Sequence, residues 1–91
     1  MKTRSPIGTV YAVLDYLTKA QHPPTLSTIS NEVRLSYGRT IEIIEPLVIH
    51  DLVKKERDYQ TYHISLTSEG RNFLLYLQGV LDMFRTLGLR T

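Results

Sequence analysis

The sequence predicts a mainly helical α+β domain, and three observations carry that expectation. Apolar residues recur at helical spacing in four separate stretches. Between the third and the fourth the period changes to two, over segments rich in Thr, Tyr and Ile. Hydroxyl-bearing or Pro-containing breaks stand where each helix should start or stop. Ninety-one residues make one small domain, short enough that association with a second copy is a natural way to enlarge the core.

Ser5-Pro6 opens the first helix, because Ser caps free N–H groups and Pro at the first helical position loses no needed donor. Ile7, Val10, Tyr11, Leu14 and Leu17 then mark one face, and Val13, Tyr16 and Ala20 a second strip. A helix apolar on two sides needs two partners: the domain core, and either the last helix or a second subunit. Lys2 and Arg4 form a short basic arm ahead of it, read as a solvated terminus. His22-Pro23-Pro24 ends the helix. Thr25 caps a short second helix through about Arg34, buried along Leu26, Ile29 and Val33. Arg34-Leu35-Ser36 is a tight break, with Leu35 plugging the corner and Ser36 capping the third helix.

The third helix, 37–50, is the element the rest of the chain serves. Thr40, Ile44, Leu47 and Val48 form its inward stripe, with Leu52 beyond. Ser36, Tyr37, Arg39, Glu42 and Ile43 are assigned to the outer side of its N-terminal half. Pro46 interrupts the hydrogen-bond ladder and is expected to kink the helix without ending it, because the apolar stripe continues on both sides. Two strands come next over 53–66, turning at Asp58-Tyr59-Gln60. Lys54, Lys55 and Arg57 make this hairpin basic, and Tyr59 and Gln60 stand at its tip as hydrogen-bonding groups. Glu56 and Asp58 dilute the charge.

Two short helices with a tight turn, then a hairpin, make a winged helix-turn-helix: three helices and a two-stranded β-wing over 1–66. Residues 67–91 form a long C-terminal helix, capped by Thr67. Its apolar positions Phe73, Leu77, Val80, Phe84 and Leu87 are spaced 4, 3, 4, 3, and Leu74 and Leu81 widen the stripe. All seven are assigned to a homodimer seam, a two-fold, antiparallel coiled coil; the alternative is that the helix folds back on its own domain. Gly79 leaves room for a partner backbone there, and Gly88 ends the helix.

In this geometry the N-terminal half of the third helix enters the major groove of duplex DNA. Arg39 is then the best base reader, because its fork matches the two acceptors of guanine. Glu42 can accept from cytosine, orient Arg39 or face away; orienting Arg39 is the reading adopted. The net charge of +2 is small, but residues 1–40 carry five Lys/Arg against two Asp/Glu. A basic front end suits a polyanion, and a plain solvated surface gives similar sums.

The chain resembles the small winged-helix proteins of archaea and archaeal viruses, from Ser5 to about Leu87. The segments that carry the resemblance are LSYGRT before the third helix, HDLV leading into the wing and ISLTSEGRNFL entering the last helix. The last of these resembles the LT-x-x-G pattern found after the wing in several regulator families. It is also similar to chromatin-type archaeal proteins that dimerise through an antiparallel coiled coil. The resemblance implies duplex DNA binding by a homodimer, through Ser36, Tyr37, Arg39 and the hairpin from Lys54 to Gln60. Two departures are Pro46 and Asp51, the latter standing where a Gly usually ends the helix.

Three functions fit: a sequence-specific transcription regulator, an architectural binder that coats DNA, and a winged helix used only for protein interaction. An enzyme is not expected, and no cofactor. His22, His50 and His63 are scattered, there is no Cys, and no Gly-rich phosphate loop exists. No membrane-spanning run or signal peptide is visible, so a cytoplasmic protein is expected, on the nucleoid or in a virus-infected cell.

Overall fold

A computed structural model describes residues 6–89 of the chain. Four helices and one hairpin come in the order α1 (Pro6–Lys19), α2 (Leu26–Val33), α3 (Tyr37–Ile49), β1 (Val53–Asp58), β2 (Thr61–Leu66) and α4 (Ser68–Thr86). Ser5 and the basic arm at Lys2 and Arg4 lie outside the described residues.

The caps are where the hydroxyls stand. Thr25 accepts from the Thr28 N–H, Ser36 from the Arg39 N–H and Thr67 from the Gly70 N–H, each filling one of the donors a helix start leaves open. Arg34 ends α2 in the left-handed conformation, at φ 59°. Asp51 does the same after α3, also at φ 59°, so it takes the backbone shape that Gly usually supplies there. The Leu52 N–H reaches back to the Leu47 carbonyl at 2.8 Å, and the Thr67 hydroxyl donates to the Asp51 carbonyl at 2.6 Å. Asp tolerates this region better than most side chains. Helix α3 runs through Pro46 without a break, and the Pro46 carbonyl accepts the His50 N–H at 3.0 Å.

The strands pair antiparallel from Val53–Leu66 to Asp58–Thr61, leaving Tyr59 and Gln60 as a two-residue loop. Tyr59 holds a positive φ of 56° there, as the first loop residue of a tight hairpin turn does. The segment between α1 and α2 joins the sheet edge. The Ile64 N–H donates to the Pro24 carbonyl at 2.8 Å, and Thr25 bridges His63. Sequence reading treats Pro23-Pro24 only as a helix stop, since Pro lacks a donor; its carbonyl still accepts.

One core gathers residues from every element, with Leu14, Ile29 and Ile64 fully buried at its centre. The expectation for Ile43 is corrected: it is only 8% exposed and packs with Ile44 and Leu47 inside. Neighbours in a helix are about 100° apart, so the wide inward face of α3 takes in both Ile43 and Ile44. Thr40 is also enclosed, at 0% exposure. It is satisfied twice: its hydroxyl donates to the Ser36 carbonyl at 2.9 Å and accepts from the Ser30 hydroxyl at 2.8 Å. This second bond ties α2 to α3 at a fixed angle. Thr40→Val should lower the unfolding free energy by about 1–2 kcal/mol, because shape is kept while a buried partner is lost. Urea denaturation of this variant, Ser30→Ala and the double variant measures the coupling; additive losses would remove the α2–α3 bond from the account.

Helix α4 is not a free arm. It packs along α1, with Gly70, Leu74, Leu77 and Leu81 on the buried side. The assignment of Leu74, Leu77 and Leu81 to a seam between two chains is therefore corrected: a single chain buries all three. No helix among the described residues is long and apolar enough to cross a membrane.

Candidate nucleic-acid interface

With its inner side filled by Thr40, Ile43, Ile44 and Leu47, α3 presents Gly38, Arg39, Glu42, Glu45, Pro46 and Ile49 outward. Sequence reasoning found Arg39 and Glu42 but not Glu45 or Ile49, although regular three- and four-residue steps from Glu42 are the signal that places them on one face. Arg39 and Glu42 are paired. The Arg39 Nη1–H group donates to Glu42 Oε1 at 3.2 Å, with both side chains reached by water. This contact uses one of five guanidinium donors and one carboxylate oxygen.

The wing stands beside this helix. Lys55 Nζ lies 3.8 Å from Glu45 Oε1 and 4.8 Å from the centre of the Tyr62 ring. Arg57 covers the same ring at 5.8 Å and donates through Nε to the Tyr59 carbonyl at 3.1 Å. One face of the hairpin is thus a cation–aromatic ladder leaning on α3. The residues alternate along a strand, so Lys54 and Glu56 project from the other face and are exposed. Lys55 has Glu45 as its ion-pair partner, whereas Lys54 has none among the described residues. Tyr62 is 41% exposed, with Lys55 and Arg57 standing over its ring.

At the tip Tyr59 is 92% exposed. A notch of about 200 Å³ separates Tyr37 on α3 from Gln60 in the turn, with Thr25, Ser27, Thr61 and Tyr62 lining the rest. Two residues expected at the interface, Tyr37 and Gln60, line this notch from positions far apart in sequence. The hydroxyls of Thr25, Ser27, Thr61 and Tyr62 were not anticipated, because only the tertiary fold sets the start of α2 against the wing. Ser36 is spent as a cap, so it contributes to this surface through the helix end it stabilises.

A second concavity, an open groove of about 530 Å³, runs between α1, α2 and α4 and is lined by Tyr11, Asp15, Tyr16, Lys19, Glu32 and Arg85 among others. Its two cations are paired locally, Lys19 with Asp15 at 2.9 Å and Arg85 with Asp82 at 3.4 Å, while Glu32 has no such partner among the described residues. The hydrogen bond from Lys19 to Asp15, with the attraction of that carboxylate, holds the ammonium above its ordinary pKa. Among the described residues there is no group of His, Cys, Asp and Glu that could hold a metal ion.

A further apolar surface lies on α4. Phe73, Tyr76, Val80, Met83 and Leu87 are spaced 3, 4, 3, 4 along the helix and all remain partly or fully exposed. This outer stripe lies beside the buried one, and Phe84 stands half-buried between them. Phe73 stacks on Tyr76 within the outer stripe at 6.3 Å. Tyr76 and Met83 were not anticipated, because seven assigned positions mixed two stripes.

No protein-family model matches the sequence, and no curated protein does either. Solved structures do. A transcription regulator from Streptomyces coelicolor, PcaV, solved in complex with its natural ligand, superposes with a TM-score of 0.78 at 25% identity, over 93% of this chain and 60% of that one. MepR, a transcription regulator of a multidrug efflux pump from Staphylococcus aureus, gives 0.73 at 21% identity, over 87% and 61%. A MarR transcriptional regulator from Methanosarcina mazei gives 0.73 at 20% identity, over 90% and 57%. The chain therefore spans about 60% of the length of the solved proteins it matches. Its fold is the winged helix, and its structural neighbours include transcription regulators, two of them described as MarR regulators.

Proposed function

We propose that this chain binds duplex DNA as a homodimeric transcription regulator in the cytoplasm, with α3 in the major groove and the hairpin as a wing against the backbone. The observation that carries the reading is the shared outer surface of α3 and the wing. Tyr37 and Arg39 on α3 and Arg57 and Tyr59 on the wing are exposed there, on a fold whose neighbours are regulators. One of them, a MepR variant from S. aureus, was solved bound to an oligodeoxyribonucleotide, with a TM-score of 0.71. Ser36, Tyr37, Arg39, Glu42, Lys54, Arg57, Tyr59 and Gln60 form the contact set, and Lys55 braces the wing through Glu45. The dimer is antiparallel and uses the outer stripe of α4, so that Phe73, Val80 and Leu87 keep their assigned role and Tyr76 and Met83 join them.

Fluorescence anisotropy tests the reading, with a random-sequence duplex and a pool enriched for binding, at two salt concentrations. A preference of about a thousandfold for a recovered site is expected of a specific regulator. Tight, salt-steep binding that ignores sequence would instead favour an architectural binder. Arg39→Ala should weaken binding to the preferred site by about 1–3 kcal/mol and relax its specificity. Lys54→Ala should weaken all sequences alike and flatten the salt dependence. If both variants bind like the parent, the contact face is wrong.

One observation favours a second reading. The outward face of α3 carries Glu42 and Glu45 against Arg39, and carboxylates are poorly placed beside phosphates. A winged helix used for protein contact would tolerate them, and absence of duplex binding at low salt would select that reading.

A further inference from the structure

Glu42 and Glu45 need an account in a helix that enters a groove walled by phosphates. The structure separates them. Glu45 faces the wing, where Lys55 stands 3.8 Å away, so its charge is answered within the protein. Glu42 is answered only in part, by the single bond from Arg39 Nη1 to its Oε1. A carboxylate accepts at two oxygens, so Oε2 keeps acceptor capacity, and the guanidinium keeps donors on its other edges. An unanswered carboxylate would lower affinity for every sequence equally. It is tolerable where a base offers it an N–H group.

The major groove offers such a group most cleanly at cytosine, whose N4 amino is a donor with no acceptor of the same base beside it; adenine sets its N7 lone pair next to its amino group. Guanine offers O6 and N7, which suit the Arg39 fork. Residues three apart on a helix advance about 4.5 Å along its axis, close to the roughly 3.4 Å between successive bases. Arg39 and Glu42 are therefore spaced for adjacent base pairs, and their mutual bond holds both side chains in register before DNA arrives.

We propose that Arg39 and Glu42 act as one reader of two adjacent G·C pairs, the guanidinium on a guanine and the Glu42 carboxylate on the N4 amino of a neighbouring cytosine. This rests on the reading of the chain as a DNA-binding protein. Glu42 then sets sequence preference by excluding thymine and guanine, which present acceptors where it needs a donor. The cost of its charge falls on non-specific sites, which widens the gap between preferred and random duplexes.

The test uses the full chain and a randomised duplex pool. Selected sites should hold two adjacent G·C pairs, and replacing the contacted cytosine by N4-methylcytosine, whose methyl occupies the groove side of the amino group, should weaken binding about tenfold or more. Glu42→Ala should lose that sensitivity and bind random duplexes more tightly than the parent. Glu42→Gln should move the preference at that position towards adenine, which Gln reads through N6 and N7. Circular dichroism melting should be unchanged in both variants, since the residue is exposed. Selected sites without G·C pairs, or Glu42→Gln keeping the parent's base preference, would overturn the paired reader while leaving DNA binding intact. No binding to any duplex would overturn both.

Discussion

Gly70→Ala is expected to cost the domain about 3 kcal/mol or more, among the largest effects of any single methyl in this chain. The reason is space, because Gly70 sits in the first turn of α4 with helical geometry and no positive φ. A Cβ there would overlap the Leu52 carbonyl oxygen and come within 2.6 Å of Leu66 Cδ2. The Leu52 carbonyl cannot retreat. The Leu52 N–H on the preceding peptide donates to the Leu47 carbonyl at 2.8 Å, and the Leu52 oxygen accepts the Thr67 N–H at 3.2 Å. The end of α3, the start of the wing and the start of α4 meet at that peptide, so displacing it disturbs three elements together. Urea denaturation should show the midpoint falling sharply, and an unchanged midpoint would mean that α4 does not approach Leu52 as described. Gly79→Ala is the control. Outside the adjoining turns of its own helix no heavy atom lies within 4 Å of a Cβ at that position, and Ala in a helix interior should add about 0.5–1 kcal/mol. Loss of dimer in Gly79→Ala would instead place a partner backbone against that side.

The second large effect separates the two stripes of α4. Leu77 is 6% exposed within one chain, so Leu77→Asp buries a charge in the core and should cost about 4 kcal/mol, enough to unfold a marginal domain. It cannot report on the dimer alone. Met83 is 62% exposed, and Met83→Glu should leave the helical circular dichroism intact while placing an unpaired carboxylate from each copy in the apolar seam. Light scattering should then give half the parent mass for Met83→Glu. A parent that is already monomeric, or a variant that keeps the dimer mass, would remove the outer stripe as the seam.

Much of the fold could be read in advance because its signals are local. A Ser or Thr ahead of an apolar run caps a helix whatever the rest of the chain does, and Thr25, Ser36 and Thr67 are such residues. The wing was legible from its alternation, and Arg39 and Glu42 from their three-residue spacing. The left-handed residue after α3 was harder, since Asp51 does by tolerance what Gly does by freedom.

Residue order and periodicity were enough for the sequence and type of the elements, and for the apolar surplus on the last helix. Packing decided how each helix is rotated about its axis. That rotation sends Ile43 inward with Ile44, and it splits the apolar surface of α4 into a buried side at Leu74, Leu77 and Leu81 and an exposed side at Tyr76 and Met83. It also sets the start of α2 against the wing, which forms the hydroxyl-lined notch, and brings Glu45 to Lys55. Periodicity specifies which residues share a face. Which of two overlapping faces is buried depends on the shape of the surface that packs against it, in this chain α1 and the Leu52 peptide.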